Sequence, residues 1–200
     1  MRLIGMLDSP YVRRVAVSLK LLDIAFAQEE VSVFRHFDHF ATINPVVKAP
    51  TLVTDDGVVL MDSTLILQHI EQLAPRSLMP GEAGAYTRAL RQIGLALAAC
   101  EKSISIHYER NLRPPEKLHQ PWVDRVTGQL LLALTALEAE VAPDWFTGDA
   151  PLQPEITAAV AWRFIQHIVS ELVPKVDFPK LVALSERAEA LPAFRQTDYD

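Results

Sequence analysis

Ser9 stands directly before Pro10 and a run in which Val12, Val15, Ala16, Leu19 and Leu22 recur at three- and four-residue spacing. That period is an amphipathic helix, so the serine hydroxyl sits at a helix N-terminus. Backbone N–H groups without helical partners and the helix dipole favour an anion there, a thiolate among them, and a hydroxyl can donate to it. Ser-Pro is also an ordinary helix start, because Ser caps well and Pro fits the first helical position.

Lys48-Ala49-Pro50 precedes a β-rich run. A proline at a strand entrance can hold a cis bond that turns the Ala49 backbone outward, where its N–H and C=O could pair with an extended peptide. A trans proline opening an edge strand fits the same residues. Asp62-Ser63 opens another helical pattern. Ser63 can offer its N–H and hydroxyl to a carboxylate while Asp62 accepts from an ammonium group, and a plain capping pair is the alternative. In combination, a helix-terminal hydroxyl, an exposed strand-like backbone and a grip on an amino-acid head group suit a short, thiol-bearing γ-glutamyl peptide.

The elements that must position these groups fall in two differently patterned stretches. Residues 3–6 and 26–33 read as strands on either side of the first helix, and 34–44 are poorly determined. Residues 51–53 and 58–61 form an antiparallel pair through Asp55-Asp56-Gly57, where Gly57 supplies a positive φ. Ser63 caps a helix carrying Leu65, Ile66, Ile70 and Leu73, which Pro75 helps to stop. The order βαβ then ββα predicts an α/β domain over residues 1–75. Residues 76–84 are a linker, and 85–200 an all-helical bundle. Its helices carry one stripe through Tyr86, Leu90, Ile93, Leu97, Ile104 and Tyr108, and another through Val123, Val126, Leu130, Leu134, Leu137 and Val141. Two more helices cover 156–172 and 179–190.

Half of the 200 residues are apolar, enough to bury a core and exclude wholesale disorder. The net charge of −6, without a basic cluster, argues against a nucleic-acid ligand. Cys100 is the single cysteine, which excludes an intrachain disulfide, a Cys-x-x-Cys pair and a multi-cysteine zinc site and fits a reducing, cytosolic setting. The apolar start is broken at Asp8 and no later run is long enough for a membrane span, so the chain reads as soluble and unprocessed.

Three motifs in this order, Ser-Pro-Tyr-Val-Arg-Arg-Val over 9–15, Asn-Pro-Val-Val-Lys-Ala-Pro-Thr-Leu over 44–52 and Asp-Ser-Thr-Leu-Ile over 62–66, resemble the successive glutathione-site motifs of bacterial glutathione S-transferases. The helical half extends the resemblance over the chain. It implies a thioredoxin-like N-terminal domain in which the residue matching Ser9 donates to the glutathione sulfur and stabilises the thiolate. Pro50 would be cis, Ala49 would present its backbone to the cysteinyl unit, Asp62 and Ser63 would hold the γ-glutamyl end, and Lys48 or Arg35 would meet the glycyl carboxylate. The electrophile pocket would involve Tyr11, His107, Tyr108 and Arg113. Two positions depart from the family pattern. Ala49 stands where valine is usual, and Leu152-Gln-Pro-Glu155 replaces a Ser/Thr-x-x-Asp capping box, so another group must satisfy that helix end.

The function implied is a cytoplasmic, homodimeric glutathione transferase acting on a small hydrophobic electrophile in detoxification, with glutathione as co-substrate and no metal. Two alternatives remain open. One is a non-catalytic or regulatory protein, as in relatives that partner larger machinery. The other is glutathione-dependent dehalogenation or isomerisation. Ser9-Pro10 separates the chain from members with a cysteine at that position, and no Ser-Ser-Cys run points to the maleylacetoacetate isomerase branch.

Overall fold

The computed structural model describes residues 1–141 and 150–199. They divide into two units. The first joins Met1–Leu78 to Leu191–Asp200, and the second is Met79–Ala190. The sequence reading places all of 85–200 in the helical domain, whereas 191–199 group with the first unit, where their short helical turn lies on the first helix. Leu78, in the expected linker, is fully buried, and its N–H donates to Glu71 at 2.9 Å.

The first unit holds four short strands, β1 (Arg2–Ile4), β2 (Ala27–Glu29), β3 (Thr51–Val53) and β4 (Val59–Met61), in the order β2-β1-β3-β4. β1 runs parallel to β2 and antiparallel to β3, and β3 is antiparallel to β4. The parallel step needs a crossover, supplied by α1 (Pro10–Leu21). The β3–β4 pair closes through Gly57 at φ 87°, as the sequence implies. Strand periodicity puts Leu3, Leu52 and Leu60, which are in register, on one face. Ile4 faces the other way into a core with Val31 and Phe40. Phe40 belongs to α2 (Phe37–Ile43), a helix the sequence pattern leaves unassigned.

The five apolar positions read on α1 are all buried. α3 (Ser63–Leu73) buries Ile66 and Ile70, but Leu65 and Leu73 are exposed, so its apolar face is narrower than expected. Its cap is Asp62 rather than Ser63, which is the first helical residue. The last stretch contains one helical turn, α8 (Pro192–Arg195), packed on α1.

The second unit contains α4 (Ala83–Asn111), α5 (Gln120–Glu140), α6 (Gln153–Ile168) and α7 (Pro179–Glu189). α6 packs against α4 and α7, and Trp162 meets Phe178 at 5.7 Å between ring centroids. The stripe expected on α5 is buried throughout. On α4 the buried row is instead Ala89, Ile93, Ala96, Cys100, Ser103 and Ile106, while Tyr86, Leu90 and Tyr108 are exposed. Small residues there let neighbouring helices approach closely, and size rather than hydropathy decides which row is covered.

α6 starts where Leu152 has no side chain able to cap. The Glu155 carboxylate turns back and accepts from the Leu152 N–H at 2.7 Å. Burial pushes this carboxyl above the ordinary glutamate value, partly offset by the backbone N–H groups of Glu155 and Leu152. A raised folded-state value means the native chain holds the proton more tightly than the unfolded chain. This contribution to stability is complete below the ordinary glutamate value and is lost as pH rises through the raised one. Denaturant unfolding across that interval should show stability falling with pH for the wild type and flat for Glu155→Gln, which keeps the acceptor without the charge. Glu155→Ala should lose about 1 kcal/mol. Equal slopes for wild type and Glu155→Gln would remove burial of the charge as the cause.

Candidate functional site

Ser9 caps α1 from extended backbone (φ −74°, ψ 124°), with Pro10 at the first helical position. Its Oγ accepts from the Val12 N–H at 3.5 Å, a long capping contact, and its C=O accepts from the Arg13 N–H at 2.9 Å. An accepting hydroxyl keeps its proton for donation. Ser9 is thus a helix-terminal donor among N–H groups that carry partial positive charge.

Gly5 brings Ala49 to this turn. At φ 138°, a Cβ on Gly5 would sit 2.7 Å from a Val12 methyl and 3.1 Å from the Ala49 Cβ, so only glycine fits where β1 ends. The Ala49–Pro50 bond is cis, as the resemblance implies. No hydrogen bond within the described residues takes the Ala49 N–H or C=O. The segment before it is pinned from both ends. The Asn44 amide donates to Thr51 Oγ1 at 2.9 Å and accepts from the Val46 N–H at 3.0 Å, and Thr51 Oγ1 donates to the Lys48 carbonyl at 2.7 Å. Val47 takes a positive φ of 51°, costly for a β-branched residue and held by this network.

Asp62, also at positive φ (71°), places Oδ1 on the Thr64 N–H at 2.9 Å, and Oδ2 lies 3.6 Å from Lys48 Nζ. Lys48 and Asp62 are therefore neighbours. Both are about half exposed, so their attraction is worth little by itself. Ser63 is buried and its Oγ accepts from Arg14 Nη1 at 3.3 Å, as does Thr64 Oγ1. Arg14 thus ties the serine-bearing helix to the start of α3. Arg35 is exposed, and its guanidinium lies 3.9 Å from the Met6 sulfur. The Met6 carbonyl in turn accepts from the Ser9 N–H at 3.2 Å.

Within the first unit the links are thus Lys48 to Asp62, Ser63 to α1 through Arg14, and Arg35 to Met6, whose carbonyl accepts from the Ser9 N–H. Tyr11 is on α1 and half-buried. In the second unit, His107 and Tyr108 lie on α4 with rings 6.2 Å apart. The Nδ1 of His107 lies 3.2 Å from the Asn111 amide. Arg113 follows the helix and pairs with Glu109 at 2.9 Å. Among the described residues no His, Cys, Asp or Glu cluster is placed to hold a metal ion, and no helix is long and apolar enough to cross a membrane.

Sequence reasoning misses Arg14 and Gly5. The first looks like a solvated charge, and the second has no short-range signal beyond the strand end it follows.

The cap on α3 is separable from the Lys48 pair. Asn caps as well as Asp and tolerates positive φ, so Asp62→Asn should unfold in urea within about 0.5 kcal/mol of wild type, against about 1–2 kcal/mol lost in Asp62→Ala. An equal loss in both would shift the weight to the ion pair.

Residues 3–78 match the family model described as the glutathione S-transferase N-terminal domain. A glutathione transferase family member from Pseudomonas fluorescens Pf-5, solved with bound glutathione, is 29% identical; the match covers 100% of this chain and 98% of that one at a TM-score of 0.86. The glutathione S-transferase of Methylobacterium radiotolerans, in complex with glutathione sulfonate, is 26% identical over 98% of this chain and 93% of its own, with a TM-score of 0.90. Maleylacetoacetate isomerase of Pseudomonas aeruginosa is 26% identical over 94% of this chain and 90% of its length. With the matched N-terminal domain, a four-stranded sheet bearing the three motifs and a helical remainder, residues 3–78 are a glutathione S-transferase N-terminal domain and the chain as a whole is similar to glutathione S-transferases.

Proposed function

We propose that the chain is a glutathione transferase in which Ser9 stabilises the glutathione thiolate. The observation that carries this reading is the Ser9 hydroxyl at the start of α1, with its proton available for donation and its oxygen in one long capping contact. Thiolate is the reactive form of a thiol, so a donor and a helix dipole that lower the thiol pKa raise the reactive fraction near neutral pH. Ser9 donates to the sulfur and is not itself the nucleophile. The thiol proton goes to water, the sulfur lone pair forms the S–C bond, and the displaced electron pair leaves with the leaving group or enters the substrate's conjugated system.

The uncommitted Ala49 backbone supports strand-like pairing with the cysteinyl unit. The Asp62 carboxylate and the first N–H groups of α3 support a grip on the γ-glutamyl ammonium and carboxylate. Lys48 or Arg35 takes the glycyl carboxylate. The same reading makes the protein a cytoplasmic homodimer acting on small hydrophobic electrophiles in detoxification.

Isomerisation is the second reading, favoured by the likeness to the Pseudomonas aeruginosa isomerase. It uses the same thiolate, which adds to the substrate and is later expelled. Assays with a chloroaromatic electrophile and with a cis-enone separate the two.

Calorimetry should show millimolar or tighter glutathione binding, weakened about tenfold in Asp62→Ala. Thiolate absorbance titration of the complex should show a thiol pKa about one unit higher in Ser9→Ala. No wild-type binding at millimolar glutathione would favour a non-catalytic role.

A further inference from the structure

Arg13 has a place in the first unit that the proposed reaction does not use. It is 1% exposed. Its Nε donates to the Thr197 carbonyl at 3.0 Å and its Nη2 to the Phe194 carbonyl at 3.2 Å. The guanidinium carbon lies 5.7 Å from the Phe194 ring centroid and 5.3 Å from that of Tyr199. The planar fork thus grips the end of α8 between two rings, with charge-assisted bonds on its edge and cation–π contact on its face. Phe194 and Thr197 are themselves buried. The backbone of the same residue holds the other end of the connection, because the Arg13 N–H donates to the Ser9 carbonyl at 2.9 Å.

We propose that residues 191–199 are a strap that positions the thiol-activating serine, and that Arg13 is the positioning residue through which it acts. Arg13 grips the strap with its side chain and Ser9 with its main chain, so the first turn of α1 is fixed from a segment more than 180 residues away in sequence. The consequence for thiol chemistry rests on the role assigned to Ser9 above. Burial removes the guanidinium from water, and the strap's carbonyls and rings replace that solvation. Without the strap the side chain would turn outward and the first turn would lose its anchor.

The test uses Arg13→Met, which keeps the length and loses the fork, Arg13→Lys, which keeps the charge, and Tyr199→Leu, which removes one ring. Amide exchange of the full chain without glutathione should show the Val12 and Arg13 amides exchanging about tenfold faster in Arg13→Met, with sheet amides unchanged. In the glutathione complex the thiol pKa should rise by about half to one unit, a three- to tenfold smaller thiolate fraction at fixed pH. Glutathione affinity should change less than about twofold. Arg13→Lys should recover part of the effect, and Tyr199→Leu should move the same readouts less.

A folded Arg13→Met with wild-type exchange in the first turn overturns the proposal. So does general loss of protection with an unaltered thiol pKa in the folded fraction, since that describes a merely structural arginine. If the wild type binds no glutathione, the role given to Ser9 fails, and the exchange experiment still decides whether the strap holds the turn.

Discussion

Two neighbouring guanidinium groups lie out of water on one helix, and much of the first unit is arranged to receive them. Removing such a cation from solvent costs several kcal/mol unless acceptors replace the lost hydration. Arg14 finds them in the hydroxyls that open α3, and Arg13 in the carbonyls that end α8. The two point to different partners from adjacent positions, so α1 is located against both at once. A helix held this way has little freedom to slide or rotate, and its first residue inherits that fixity.

The remaining parts of the constellation are placed by backbone geometry more than by side-chain packing. Gly5 lets the end of β1 meet Val12 and Ala49. Val47 and Asp62 adopt positive φ, one held by the Asn44–Thr51 network and the other by its own cap on α3. Such conformations are rare for residues with a Cβ and persist where surrounding hydrogen bonds over-determine them.

Much of this was legible in the sequence, for identifiable reasons. Ser9, the hairpin at Gly57 and the apolar faces of α1 and α5 follow from local chemistry and period, whereas the cis Ala49–Pro50 bond follows only from the family resemblance, since local chemistry allows a trans bond equally; all stand where the sequence puts them. Asp62 and Ser63 are both good caps, so composition does not rank them; the positive φ of Asp62, visible only in three dimensions, settles which residue caps. The α4 stripe held at Ile93 and in part at Leu97 and Ile104, and failed at Tyr86, Leu90 and Tyr108, where hydropathy favours burial while close helix packing favours alanine and serine. The short helix α2 offers too few apolar positions for a period to emerge. The two arginines were opaque for a deeper reason. Nothing local tells a buried guanidinium from a solvated one when its acceptors are, for Arg13, 181 and 184 residues away.

The unit that carries the serine is discontinuous, closed by a segment that follows the whole helical unit in the chain. Synthesis runs from the N-terminus, so the sheet and α1 leave the ribosome long before residues 191–199. For that interval Arg13 has no strap to grip, and the first unit exists as an unfinished nucleus while residues 79–190, a unit of their own, are still being made. The order of maturation thus inverts the order of translation: the unit begun first is completed last, and the donor at Ser9 acquires its final setting only once the tail has docked.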